Sequence, residues 1–190
     1  MDPILFINAC VRPQSRTEGL AQCVLEQLDG EILERKLERE HLQPLDGSLL
    51  EKRDKLLSEG ALSDEMFRYA REFAGADIIV IAAPYWDMNF PALLKLYLEQ
   101  ITVCGITFQY SEEGVPKGLC RAKKLIYVTT AGGPVCFNFG FDYVNALSEQ
   151  FWGIKETLFF KAENLDIEGN DVEQIMAAAE ATVRERFSLK

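Results

Sequence analysis

Short apolar runs alternate with stretches of helical spacing along the whole chain. Residues 4–9, Ile-Leu-Phe-Ile-Asn-Ala, form a run too short for a helix and read as a buried strand. Leu20, Val24 and Leu28 then recur at helical spacing and predict a helix over 17–28. Residues 32–37 make a weaker strand, and 38–60 are charged and irregular, with a short helix expected around 49–57. Ser63 is placed to cap the next helix, whose inner face is Met66, Ala70, Phe73 and Ala74. The clearest strand is 77–83, DIIVIAA, uncharged after Asp77 and apolar on both faces. Such a run suits a central parallel strand covered by helices on both sides. A helix over 91–103 follows, with Pro91 tolerated in its first turn. Residues 106–110 and the turn Ser111-Glu112-Glu113-Gly114 suggest a small hairpin. A second core strand covers 124–130, a helix 142–151 and a last strand 157–161. Val172, Ile175, Met176, Ala179 and Val183 mark a final amphipathic helix.

The order βαβαβαβαβα, without repeat or linker, argues for one α/β domain spanning 1–190. Its sheet is parallel and wrapped by helices on both faces. Ligands of such sheets sit beyond the carboxyl ends of the strands. Three loops leave those ends, at 10–17, 84–90 and 129–133, and are expected to meet.

The first loop enters a helix N-terminus, where unpaired N–H groups and the dipole favour a phosphate. Ser15 and Thr17 add hydroxyls, and Arg12 or Arg16 can add charge. It lacks both the Walker glycines with their Gly-Lys pair and the G-x-G-x-x-G pattern. Alone, it could equally be an N-cap with exposed arginines. The second loop, Pro84-Tyr85-Trp86-Asp87-Met88-Asn89-Phe90, sets aromatics and an amide after the central strand. A flat heteroaromatic ligand needs such walls, although an apolar loop packed under the sheet has the same composition. The third loop, Thr129-Thr130-Ala131-Gly132-Gly133, lets backbone approach a planar ligand, or is an ordinary glycine turn.

The net charge of −10 repels phosphate backbones and argues against nucleic acid as a partner. No stretch reaches the roughly 18 apolar residues of a membrane span, and no basic segment precedes the first apolar run. Five cysteines, with no C-x-x-C, suit reduced thiols in a cytoplasm. Cys104 and Cys136 read as core thiols. The sole histidine, His41, falls in the charged loop, so no zinc site or catalytic histidine pair is expected.

The stretch Ala82-Ala83-Pro84-Tyr85-Trp86-Asp87-Met88-Asn89-Phe90-Pro91-Ala92-Leu93-Leu94-Lys95 resembles the flavin loop of FMN-dependent NADH azoreductases. Gly105-Ile106-Thr107-Phe108-Gln109-Tyr110, Lys117-Gly118-Leu119, the glycine loop and Gly153-Ile154 follow in matching order. The resemblance covers nearly the whole chain and extends to flavodoxin-like NAD(P)H:quinone oxidoreductases. It implies a doubly wound five-stranded sheet of order 2-1-3-4-5 and a homodimer with FMN at the interface. It implies phosphate contacts from Ser15 and Thr17, with Arg16 between them. Pro84, Tyr85, Trp86, Asp87, Met88 and Asn89 would border the ring, and Thr130, Ala131, Gly132 and Gly133 would close its other edge. Tyr110, Phe151 or Trp152 could reach over the flavin from a second chain, or lie in the core. Leu96 and Val103, off the sheet-facing stripe of their helix, are expected to face that chain. The implied reaction is hydride transfer from NADH or NADPH to a quinone, azo, nitroaromatic or flavin acceptor, with no protein nucleophile. A flavodoxin-type electron carrier and a flavin-free interaction module stay open as alternatives.

Overall fold

The computed structural model describes residues 2–188. Side chains along the strands alternate between two apolar faces. Leu5, Ile7, Ile79, Ile81, Leu125 and Tyr127 enter one core, while Ile4, Phe6, Val80, Ala82, Ile126 and Val128 enter the other. Period-two alternation with both sets buried requires a layer on each side of the sheet.

The strands are β1 (Asp2–Asn8), β2 (Gly30–Lys36), β3 (Ile78–Ala82), β6 (Lys124–Thr130) and β7 (Glu156–Ala162). They pair in parallel in the order β2-β1-β3-β6-β7, which is 2-1-3-4-5 counted within the sheet. Helices α1 (Arg16–Leu25) and α6 (Val172–Ser188) cover one face. Helices α3 (Arg68–Gly75), α4 (Ala92–Ile101) and α5 (Phe139–Leu147) cover the other. Helix α2 (Gly47–Ser58) has no fully buried residue and lies outside the second layer, where Leu56 and Leu57 touch Phe67, Ala70 and Val103. Strands β4 (Phe108–Tyr110) and β5 (Pro116–Gly118) form a separate antiparallel hairpin. Among the described residues no helix is long and apolar enough to cross a membrane.

Several local expectations change. Ser63 does not cap: Asp64 Oδ1 accepts from Met66 N at 2.9 Å, and a 3-10 turn over Glu65–Phe67 precedes α3. The helix expected over 142–151 begins at Phe139 and gives way to a π turn over Ser148–Trp152. Val103 is buried against Phe67 and Ala70, and Leu96 packs partly buried on the main core. Val103, just past α4, is therefore covered within the chain, while Leu96 keeps part of its surface. Cys104 and Cys136 are exposed rather than core thiols.

Candidate functional site

Asn8, the last residue of β1, starts the first loop: its Oδ1 accepts from Cys10 N at 3.1 Å. The chain passes through a left-handed Gln14 (φ 57°) and enters α1 with Ser15 as N-cap. Ser15 Oγ accepts from Glu18 N at a long 3.4 Å. The remaining amides of the first turn have no intrahelical acceptor, as at any helix start.

The second loop turns over two residues. Trp86 and Asn89 exchange both backbone hydrogen bonds at 2.8 Å, and between them Asp87 (φ 51°) and Met88 (φ 66°) are left-handed. This is a hairpin turn of the kind that prefers glycine or asparagine, built here without glycine. Tyr85 N donates to Thr130 O at 3.0 Å, and Tyr85 Oη donates to Phe137 O at 2.6 Å, so both the backbone and the side chain of Tyr85 anchor the start of the loop.

The third loop is zipped to the segment after β7. Ala131 O, Gly132 O and Gly133 O accept from Leu165 N (3.2 Å), Asp166 N (2.8 Å) and Asn164 N (3.1 Å). A Cβ at Gly132 would meet Asp166 Oδ2 at 2.3 Å, so any larger residue displaces the Asp166 side chain from this approach. Arg16 Nη1 reaches Asp166 Oδ1 at 2.9 Å, and Thr17 Oγ1 lies 2.6 Å from Thr130 Oγ1. The three loops therefore meet, around a cleft of about 400 Å3 bordered by residues 11–17, 84–86, 130–132 and 165–166. An adjoining hollow of about 790 Å3 shares Trp86 and adds Phe90, Lys95, Phe139 and Tyr143.

A phosphate-capable helix start facing aromatic and glycine loops on a 2-1-3-4-5 sheet is the flavodoxin-type arrangement. A family model described as flavodoxin-like fold matches residues 2–187. The FMN-dependent NADH:quinone oxidoreductase 2 of Clostridium acetobutylicum is 34% identical over 189 residues, 93% of each chain. The FMN-dependent NADH:quinone oxidoreductase of Lachnoclostridium phytofermentans is 34% identical over 183 residues, 91% of each. The chain belongs to this flavodoxin-like oxidoreductase family. An azoreductase structure from Bacillus anthracis superposes with a TM-score of 0.85 at 23% identity, covering 100% of both chains. A Bacillus anthracis FMN-dependent NADH-azoreductase solved in complex with FMN gives 0.83 at 21% identity, covering 99% of this chain and 98% of that one.

Within this family member the expected site residues divide. Ser15, Arg16, Thr17, Pro84, Tyr85, Trp86, Thr130, Ala131 and Gly132 line the main cleft. Asp87 and Asn89 line the adjoining hollow instead. Asn89 Oδ1 already accepts from Phe90 N at 2.9 Å. Met88 stands 48% exposed at the turn, and Gly133 does not line the cleft. Trp152 is corrected outright. It is fully buried, packed edge-on against Phe73 at 4.7 Å, because the π turn rotates it under the sheet. It cannot cover a ligand from any chain. Phe151 is half-buried, edge-on to Phe108 at 5.0 Å, and Tyr110 is exposed on the hairpin. Asp166 borders the cleft and Asn8 lies buried under the first loop, but neither carried a motif. The strand-end rule extends to the loop after β7 and would have pointed to Asp166.

Proposed function

We propose that the protein is an FMN-dependent oxidoreductase that takes hydride from NADH or NADPH and delivers it to a quinone, azo, nitroaromatic or flavin acceptor. The observation that carries this reading is the meeting of three strand-end loops in one cleft of about 400 Å3. The cleft fits FMN. Free amides, the Ser15 hydroxyl and the cations Arg12 and Arg16 border it, as a phosphate requires, with Arg16 paired to Asp166. The flat walls Tyr85 and Trp86 and the glycine backbone at 131–132 border the same cleft. Bound there, FMN supplies two-electron hydride chemistry, and the protein supplies orientation and electrostatics. Ala131 and Gly132, held by the 164–166 segment, set how closely backbone approaches the ring. Trp86, Phe90, Phe139 and Tyr143 offer aromatic walls to a planar reactant beside it. One shared hollow suits donor and acceptor in turn, hence a two-step exchange.

Trp86, Met88, Phe137, Phe139 and Tyr143 leave large apolar side chains exposed around the cleft mouth. A patch of this kind marks an interaction surface, and a second copy of the chain is its commonest cover. We therefore place a homodimer contact here, and not on the buried Val103. Free cysteines fit a reducing cytoplasm.

The test is purification with flavin analysis, followed by NADH oxidation with a quinone. One FMN per chain, preference for FMN over riboflavin, parallel double-reciprocal plots and a sedimenting dimer are expected. Equal affinity for the two flavins defeats the cofactor assignment. FMN binding without NADH oxidation leaves a carrier in place of the enzyme.

A further inference from the structure

Glu18 sits in the first turn of α1, where a carboxylate stabilises the helix but repels any phosphate bound at the same terminus. The two demands conflict, and the structure separates them. Ser15, Arg16 and Thr17 border the cleft, whereas Glu18 does not. Its carboxylate is turned to the β2 side and held by both oxygens. Oε1 accepts from Asn8 Nδ2 at 2.9 Å, and Oε2 accepts from Lys36 Nζ at 2.7 Å. Lys36 and Glu18 are 15% and 30% exposed, so this pair is screened less than a surface pair.

Asn8 is fully buried. Its second amide hydrogen goes to Glu34 Oε1 at 2.8 Å, and its carbonyl oxygen takes Cys10 N as the loop begins. Glu34 lies exposed on the edge strand, where water screens its charge. One buried amide thus ties β1, the first turn of α1 and β2 together directly beneath the first loop.

We infer that Asn8 and Lys36 are positioning residues that hold the Glu18 carboxylate clear of the cofactor phosphate, so that the start of α1 keeps its attraction for a dianion. This rests on the reading of the cleft as an FMN site. Without Lys36 the carboxylate loses one of its two holds and its compensating charge, and the cost falls on the phosphate alone.

The experiment is a double-mutant cycle read as two dissociation constants, for FMN and for riboflavin, on the full chain freed of flavin. Lys36→Gln is expected to weaken FMN about two- to fivefold and to leave riboflavin unchanged. In a Glu18→Gln background the same change is expected to alter neither. Asn8→Leu has nearly the same size but no amide hydrogens and no new charge, and is expected to reproduce the FMN-selective loss. Four outcomes overturn the inference. Equal weakening of both flavins means the network is only structural. Equal FMN weakening in both backgrounds means Lys36 acts on the phosphate directly. A wild type that selects FMN, with every variant keeping its FMN-to-riboflavin ratio, means Glu18 is irrelevant. A wild type blind to the phosphate overturns the cofactor reading itself, and this inference with it.

Discussion

Thr17 Oγ1 and Thr130 Oγ1 lie 2.6 Å apart, both nearly buried, and tie the first turn of α1 to the last residue of β6. The bond fixes the proposed phosphate end of the cleft against its glycine wall. A hydroxyl pair has two protons for one bond, so Thr130 can donate to Thr17 and leave the Thr17 proton for a ligand.

Thr130→Val strands the Thr17 hydroxyl in a buried site. It is expected to cost about 1–3 kcal/mol in urea unfolding of the flavin-free protein. Adding Thr17→Val replaces both partners by methyl groups and should return most of that stability. FMN binding should not return with it, since the Thr17 donor is gone. The double variant is expected to bind FMN about tenfold more weakly, as for one bond to a charged group. A double variant as unstable as the sum of the singles would show that the threonines matter separately.

The sheet was legible because its strands are unambiguous. β3 is uncharged, β6 is uncharged after Lys124, both are buried on both faces, and the alternation of Ile79 and Ile81 against Val80 and Ala82 admits little else. The edge was less so. In β2 Ile32 and Leu33 are exposed, and the strand starts two residues earlier than its apolar content suggests. The π turn at Ser148–Trp152 breaks the helical period on which sequence reading relies, and so the side taken by Trp152, cleft or core, stayed open until the fold put it in the core. The three loops could be found from strand ends and residue type. Their partners could not: Asp166 closes on Gly132 and Arg16 from 34 and 150 residues away, a pairing only the fold creates.

Gly118 explains why the hairpin sits where it does. A Cβ there would stand 2.2 Å from the Trp152 carbonyl carbon and the Gly153 nitrogen. Both are backbone atoms, so no rotamer can yield. Gly118→Ala must push β5 off the π turn, and overpacking of this kind costs about 1–3 kcal/mol. The expected result is a lower urea midpoint with an altered near-ultraviolet signal from Trp152. Unchanged stability would mean that the hairpin docks loosely.

Met88 holds a left-handed backbone at a cost of about 1–2 kcal/mol that glycine does not bear. Asp-Gly is the favoured pair for this turn, so Met88→Gly is expected to stabilise the fold by about 1 kcal/mol despite the added freedom of the unfolded chain. A strained residue kept at the mouth of a cleft points to use of its side chain. Turnover of a bulky quinone should therefore fall while FMN affinity holds. A variant both more stable and fully active would free Met88 of any such role.

The thiols give a pH signature with a definite sign. Burial pushes Cys10 up from 9.0 to about 11 and Cys120 to about 12, while Cys104 and Cys136 are exposed. Iodoacetamide at neutral pH should therefore label Cys104 and Cys136 in the native protein and reach Cys10 and Cys120 only after unfolding. Above pH 9 the unfolded chain releases protons that the folded chain retains at Cys10 and Cys120. The folded state then binds more protons than the unfolded, so stability falls as pH rises. Their contribution is intact below about pH 9 and is lost on the way to 11 and 12. Burial also raises Tyr97 and Tyr127, but from an ordinary 10.0, so the thiols lead as pH first passes 9. Urea midpoints should be level from pH 7 to 8 and decline from 9 to 10, and Cys10→Ala should flatten the decline. A decline of equal slope in that variant would assign it elsewhere.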